Sequence, residues 1–554
     1  MGWIQHNRNL GLLLLCLALA ACTPHPSQTS STPTHILSPL PTATLPPSAT
    51  PTSSPSPTPQ PHETPRPYGP ELEDFPPGVN PLTALRVSEP AMLEQPAALI
   101  SISNMPVTTR PQAGLQFASW VFELFIGEGT TRFLAVFYGE YPRYIPNLPG
   151  GCPVRPAGGT PAEPWLGGRA WLDENANGRL EPWEAGVGGL CLHLYDAADR
   201  LLQSTATDSN GYYFFNLPAA GEYRLKISPS PYYELTAAHR GTEEGDSDLD
   251  PQTGASALLS VSGGAFRLDL GLILLPEAPP TPTPSIPPTP TPWYIPQEAY
   301  VGPIRSGRLT YNHIYEMFPF SCLVYSGAGR GIREVLHGCE IAYGVDLTTP
   351  NSALLTVSRM RQLTAARKPP SGKLNYSGNL FDPSPPSGGQ PAHSLHVFYH
   401  AYTQSAWVYD PLSGAYLRYT DQADGTGTLL PALERLTGRQ QFFENIIVLL
   451  ADYQWVRHLQ FDVQLGIGQV GRAWLLRDGF IYPIRWSTVN REWERKTGLP
   501  RPIHFTDAQG NLIPLKPGRT WLHLMTLNSA MRDLGNGAWQ AFFAQPPDPD
   551  PGEE

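Results

Sequence analysis

DENANGRLEPWE, residues 173–184, sets oxygen-bearing residues at alternate positions around a glycine. Asp173, Asn175 and Asn177 stand at positions 1, 3 and 5, Gly178 at 6, the carbonyl of Arg179 at 7, Glu181 at 9 and Glu184 at 12. This is the ligand spacing of a twelve-residue calcium loop. A hard cation is satisfied by several oxygens, alternate residues of a tight loop aim theirs inward, and glycine permits the sharp bend. An ion-free turn rich in Asp, Asn and Gly is the competing reading. The flanks decide the fold around it: GRAWL (168–172) alternates like a strand, and Pro182 falls where an exiting helix would have to begin. The loop is expected to join strands.

Outward from the loop, residues 152–276 break into short alternating runs such as LCLHLYD, GYYFFNL, GEYRLKIS and AFRLDLGLIL, each bounded by Gly, Asn, Asp or Pro. That is the pattern of an all-β sandwich. A second acidic cluster, Asp246, Asp248 and Asp250 after Glu243 and Glu244, reads either as a further calcium site or as a solvated loop. Asp208 either adds a ligand or makes an Asx turn before Gly211.

Beyond this segment the 554-residue chain divides by composition, with 64 prolines concentrated in two tracts and 41% hydrophobic residues, enough for ordinary cores. Residues 1–21 order Arg8, an apolar run from Leu10 to Ala21 and then Cys22, as a secretory signal does, and the run is too short for a stable membrane span. Leu19-Ala20-Ala21-Cys22 resembles the lipobox of bacterial lipoproteins, which implies lipidation of Cys22 and a tie to the membrane through the N-terminal lipid. An ordinary signal cleavage is the alternative. Residues 22–79, rich in Pro, Ser and Thr, are expected to form an extended stalk, and residues 277–295 repeat that composition as a linker. Export permits disulfides; chain order suggests Cys152 with Cys191 and Cys322 with Cys339, free buried thiols being the alternative. The formal charge of -11 argues against nucleic acid or anionic lipid as partner.

On both sides of the β segment the pattern is mixed. ALISISN and TTRFLAVFYG read as strands, QAGLQFASWVFELF (112–125) as a helix, NHIYEMF and GIREVLHG as helices around the apolar run SCLVYSG. This predicts an α+β or α/β module. Toward the C-terminus antiparallel strands take over, with a hairpin turning at Asp478-Gly479, a second around Gln509-Gly510-Asn511, a strand in PGRTWLHLMT and a tail from 531 to 554 that ends in acidic residues.

Two resemblances attach to these residues. GRAWLDENANGRLEPWEAGVGG, TATDSNGYYFFNLPAAGEYRLKI and GDSDLDPQTG are similar to the SdrD B-like domain of bacterial surface proteins, related to collagen-adhesin B repeats, over roughly 165–272. That likeness implies a prealbumin-like sandwich, rigidified by calcium and acting as a spacer. Some relatives form a Lys–Asn isopeptide bond; with Lys226 the only lysine of the segment, none is expected here. NPLTAL, the span 108–137, VGPIRSGR and HFTDAQGNLIPLKPGRTWLHL resemble the DUF3048 (YerB-like) lipoprotein family, which has no assigned activity. The resemblance implies a nested insertion: a discontinuous N-terminal domain, 80–148 and 296–427, interrupted by the calcium-binding domain 152–276, then a C-terminal domain, 428–530.

Arg110, Glu123, Glu128, Arg132, Arg305, Ser306 and Arg308 gather in the two segments that the insertion divides. If the segments meet, the guanidinium forks suit a carboxylate or phosphate on an anionic cell-wall polymer or an envelope protein; internal Arg–Glu pairs are the bland alternative. No GxSxG, HExxH, P-loop or dinucleotide motif is present, and His393, His396 and His400 lie on an alternating run that reads as a strand. The expectation is a lipid-anchored binding or scaffolding protein with a calcium-stiffened spacer. The alternative is a cell-wall glycan or peptide hydrolase with Glu128 as acid or base.

Overall fold

A computed structural model describes residues 70–144, 152–153, 161–228, 232–241, 245–275, 298–329, 331–342, 353–457 and 460–546. The signal, Cys22, most of the stalk and the linker 277–295 lie outside the described residues.

The apolar runs that defied assignment by period are strands buried on both faces. WVFELFIG (Trp120–Gly127) and NIIVLLA (Asn445–Ala451) are buried at every position. Strands covered on both sides lose the alternation that marks a half-exposed strand, which is why residues 112–125 read as a helix. The structure corrects that: Gly114, held at φ +101°, opens a short 3-10 turn, Leu115–Phe117, and the strand follows.

These strands belong to one large sheet. Its order runs Gly338–Ile341, Cys322–Tyr325, Ala98–Ser103, Thr130–Phe137, Trp120–Gly127, Thr520–Thr526, Asn445–Ala451, Val470–Arg477, Phe480–Ser487. The middle pair is parallel, with Trp120 opposite Thr520 and Leu124 opposite Leu524. The N- and C-terminal parts of the host therefore share one sheet instead of standing as separate bodies. A second sheet of Thr403–Asp410, Ala415–Asp421, Ser394–His400, Ala538–Phe542 and Ala530–Gly535 packs on it; a division at 427/428 would cut this sheet from its strands Leu429–Pro431 and Phe442–Phe443. Trp407 meets Trp521 edge-on at 5.3 Å between the layers.

Helix is minor: among the described residues the α-helices are Thr310–Met317, Val357–Ala365 and Glu492–Thr497. The host is β-rich, a correction to α+β or α/β. GIREVLHG makes only turns, between Gly331 at φ +81° and the strand that begins at Gly338. The hairpin at Asp478-Gly479 forms with both residues at positive φ, 54° and 77°. A second such turn, Asn536-Gly537 at 52° and 73°, joins the last two strands, so the expected tail from 531 is folded as far as Phe542. At the other end, Leu72–Asp74 and Val79–Asn80 are structured and Glu71 pairs with Arg501 at 2.9 Å, so the stalk stops short of residue 79.

Residues 161–275 form a separate two-sheet sandwich, one sheet ordered Leu259–Val261, Gly221–Ile227, Cys191–Asp196, Leu201–Ala206, the other built on Trp165–Leu172 with Leu270–Leu274, Ala265–Arg267 and Tyr212–Asn216. Leu166, Leu192, Tyr213, Leu225 and Leu270 form its own core. Cys152 is bonded to Cys191, tying the entering chain to the sandwich, and Cys322 to Cys339 in the host. The host closes behind the insertion: Ala113 bridges Gly302, Ile102 bridges Ile304, and a side chain on Gly114 would lie 3.1 Å from Val301 and 3.4 Å from Phe137.

Candidate functional site

The loop 173–184 leaves the strand Trp165–Leu172 and is shaped by its own side chains. Asp173 Oδ1 accepts from the N–H of Asn177 at 3.1 Å, and its Oδ2 from Gly178 N–H at 2.8 Å and Thr236 Oγ1 at 2.6 Å. Asn175 and Asn177 each accept from the N–H two residues on. Glu184 folds back to accept from the N–H of Glu174 at 3.1 Å and of Glu181 at 3.0 Å. Gly178 has φ +77°, and a Cβ there would lie 2.6 Å from the Ala237 carbonyl oxygen. Both the bend and the space exclude a side chain.

Asp173 and Glu184 are 2% and 1% exposed. Burial first, with the charges of Glu181 and Asp173 adding, pushes the Glu184 carboxyl up to about 8 against the backbone N–H groups of Glu181 and Glu174. Glu181 Oε2 and Asp246 Oδ1 are buried without a hydrogen-bond partner. Asp246 reaches the loop because its backbone bridges Arg179 and Gly245 accepts from Leu180 N–H. The residues present thus fit a cation: concentrated carboxylate, orphaned oxygens and a glycine bend.

The second acidic cluster is not gathered into one set. Asp248 Oδ2 accepts from Asp269 N–H at 2.6 Å, and burial, with the Asp269 and Asp246 charges, raises its carboxyl to about 6. Asp250 is exposed and caps a turn through Gln252 and Thr253 N–H. Glu243 and Glu244 lie outside the described residues. Residues 245–250 are not a regular strand, on which side chains two apart would share one face, so Asp246 joins the first loop while Asp248 and Asp250 do not. Among the described residues no group of three His, Cys, Asp or Glu side chains is close enough to hold a metal by itself; the loop would need its Asn and carbonyl oxygens too. Asp208 makes the Asx turn, accepting from Asn210 and Tyr212 N–H. Lys226 pairs with Asp199 at 2.6 Å.

The host cluster splits. Glu123 is 1% exposed in the core, where Thr131 Oγ1 donates at 2.8 Å and Trp521 Nε1 at 3.1 Å. His523 Nδ1 lies 3.3 Å away, and its Nε2 accepts from Trp407 Nε1 at 2.8 Å. Arg110 turns to Asp421 at 3.2 Å and to Asn104. Neither faces the other arginines, a correction that alternation explains: Glu123 and Arg132 lie on adjacent strands with Leu124, not Glu123, opposite Arg132.

Arg132, Arg305, Ser306 and Arg308 do come together. Arg132 is 5% exposed and donates to Ser306 Oγ at 3.3 Å; Ser101 Oγ lies 3.0 Å from the Tyr311 hydroxyl beneath. Arg132 Nε, Arg305 Nε and Arg308 Nε are all buried without a partner. Burial, opposed by Tyr311 and reinforced by the Arg308 and Arg305 charges, brings Arg132 down to about 9. Glu128 is exposed on the turn between strands, and its charge opposes the lowering at Arg308. The cluster stands at the carboxyl ends of the parallel strands Ala98–Ser103 and Cys322–Tyr325, where open sheets place ligands. The glycine-rich turn after Tyr325 was overlooked in the sequence; Gly327 accepts from Gly307 N–H and Arg305 from Ser326 N–H beside the guanidinium groups.

A sandwich with a loop of calcium-type spacing, set into a β-rich host that closes behind it, defines a multidomain chain of nested β folds. Residues 82–149 match the DUF3048 N-terminal domain (protein of unknown function), 395–522 its C-terminal domain and 165–272 the SdrD B-like domain. The matches to the two DUF3048 domains thus flank the match to the SdrD B-like domain. It is 36% identical over 90 residues to Serine-aspartate repeat-containing protein C of Staphylococcus aureus (strain N315), covering 16% of this chain and 9% of that protein. With Serine-aspartate repeat-containing protein F of Staphylococcus epidermidis (strain ATCC 12228 / FDA PCI 1200) the identity is 29% over 118 residues, 20% of this chain and 7% of that one. The chain thus spans less than a tenth of these relatives. The solved structure of YerB from Bacillus subtilis aligns with 81% of this chain and 96% of its own at 14% identity and a TM-score of 0.42.

Proposed function

We propose that the protein is a lipid-anchored, extracytoplasmic binding module. Cys22 carries the anchor and the Pro/Ser/Thr stalk holds the body off the membrane. The DUF3048 host binds an anionic group of an envelope polymer or protein, and the inserted sandwich is a spacer stiffened by calcium. Among the described residues no helix is long and apolar enough to cross a membrane.

The observation that carries the binding reading is the cluster of Arg132, Arg305 and Arg308, whose three Nε groups are buried and unpartnered. A buried donor left unmade costs about 1–3 kcal/mol, so three in one cluster favour an oxyanion that accepts from them. The hydrolase alternative needs a second carboxylate or histidine beside Glu128; Glu123 is sealed in the core, and the His400 ring packs against the neighbouring Gly129.

In the insert, Asp173, Asn175, Asn177, the Arg179 carbonyl, Glu181 and Glu184 would hold calcium, with Asp246 alongside. The ion supplies positive charge to a site crowded with carboxylates, and the loop's own N–H bonds keep those oxygens in place without it.

The binding test is calorimetric titration of the full chain with poly(glycerol phosphate) and with a polycarboxylate. Arg305→Ala and Arg308→Ala are each expected to weaken binding about tenfold or more, the scale of one lost charge-assisted bidentate contact. Equal affinity of both variants and the parent for both polymers would remove the proposal.

A further inference from the structure

We infer that the seam between the inserted sandwich and the host is a second binding site, one that takes a small ring-bearing carboxylate or phosphate. It is separate from the Arg132 cluster and rests on its own geometry. A cavity of about 200 Å³ lies there, walled by both domains. An apolar cavity of about 150 Å³ takes up benzene, so this one has room for a ring and an oxyanion.

The wall explains the selectivity. Trp183 and Tyr212 of the insert face it together with Phe442 of the host, supplying flat apolar surface. Five arginines line it against three glutamates, a surplus of two positive charges. Two pairs are internally cancelled: Arg519 holds Glu444 at 3.1 Å and Arg143 lies 3.7 Å from Glu140. Arg143, Arg169 and Arg439 are close enough that the charges of Arg169 and Arg143 both act on Arg439, which is 5% exposed.

Two of these cations are braced with donors to spare. Arg143 reaches from the host to Glu174 at 2.9 Å and to the Trp183 carbonyl oxygen, while its Nε is buried without a partner. Arg169 donates to the Glu184 carbonyl oxygen at 3.1 Å and lies over the Tyr212 ring, and its Nε is likewise unpartnered. Guanidinium groups fixed from behind, with free N–H edges and aromatic neighbours, form a receptor for an oxyanion on a flat body.

The probes are phenyl phosphate, benzoate and inorganic phosphate, titrated into the full chain by calorimetry. Phenyl phosphate or benzoate is expected to bind at least about tenfold more tightly than inorganic phosphate, because the ring adds apolar burial. Arg169→Ala should weaken the ring-bearing probe about tenfold or more. Ser413→Trp, which adds bulk to the host-side wall at a residue that is neither one of the arginines nor part of the loop, should do the same and decides the matter if Arg169→Ala does not fold. No binding of either ring-bearing probe at ~10 mM, far above useful affinity, would overturn the site. So would binding that survives Ser413→Trp, or binding that Arg305→Ala abolishes, since the ligand would then lie at the other cluster.

Discussion

Glu123 in the host and Asp173 with Glu184 in the insert are buried to the same depth, at 1%, 2% and 1% exposure, yet their surroundings differ in kind. Around Glu123 stand two neutral donors and the charge of Arg418, itself stacked over Trp521 at 4.6 Å and bonded to Gln441. Burial raises the Glu123 carboxyl and that arginine opposes the shift. Around Glu184 stand backbone N–H groups, but its nearest charges are further carboxylates. A buried charge answered by its opposite is part of a core. Buried charges of one sign, gathered on a glycine bend, are the arrangement on which the calcium proposal rests.

The contrast can be broken on the host side first. Glu123→Ala takes from Thr131 and Trp521 their buried acceptor and from Arg418 the larger of two carboxylate charges acting on it, Asp421 being the other, and a buried group left unmade costs about 1–3 kcal/mol. Urea unfolding should show the loss in the host; a change below ~1 kcal/mol would mean that neither the two donors nor Arg418 need the carboxylate there.

On the insert side, calcium should raise thermal stability by about 2.7 kcal/mol at one hundred times its dissociation constant, because only the folded loop assembles the ligands. Calorimetry of the full chain with calcium and with chelator reads this. Asp173→Ala combined with Glu184→Ala should abolish the difference, and an unshifted transition at millimolar calcium would dispose of the ion.

The smallest effect calibrates the other two. His313 Nε2 lies 3.2 Å from Asp462 Oδ2, both side chains about a fifth exposed. The hydrogen bond to Asp462, ahead of opposing burial, raises the His313 pKa above 6.5. The folded chain therefore holds this proton more tightly than the unfolded one. The pair's contribution is complete below the unfolded value and fades as the pH rises through the folded one. It should amount to less than ~1 kcal/mol, as partly exposed pairs do. Comparing the parent with His313→Gln in urea at pH 5.5 and pH 8.5 checks this; a difference larger at high pH would reverse the assignment.

Legibility in the sequence followed the same division. The loop's shape could be read because Asp173, Asn177, Gly178 and Glu184 act on one another within twelve residues, and the turn at Asp478-Gly479 because its pair tolerates positive φ. Asn536-Gly537 carried the same signal and the expected tail hid it. The helix expected at 112–125 failed where burial on both faces erased the period. The split of the arginine cluster was also out of reach, since Arg110 and Asp421 are 311 positions apart.

The sequence by itself determined the spacing of the loop's oxygen-bearing residues and the strand-forming runs of the sandwich, because spacing and backbone preference act between near neighbours, whereas the interruption of one domain by another was implied only by family resemblance. Only the tertiary structure decided that Trp120 lies opposite Thr520, that Glu123 is sealed while Arg132, Arg305 and Arg308 share a cluster, and that a cavity opens between insert and host. Those outcomes depend on which distant surfaces exclude water together, and pairing across 400 positions leaves no periodic trace in the chain.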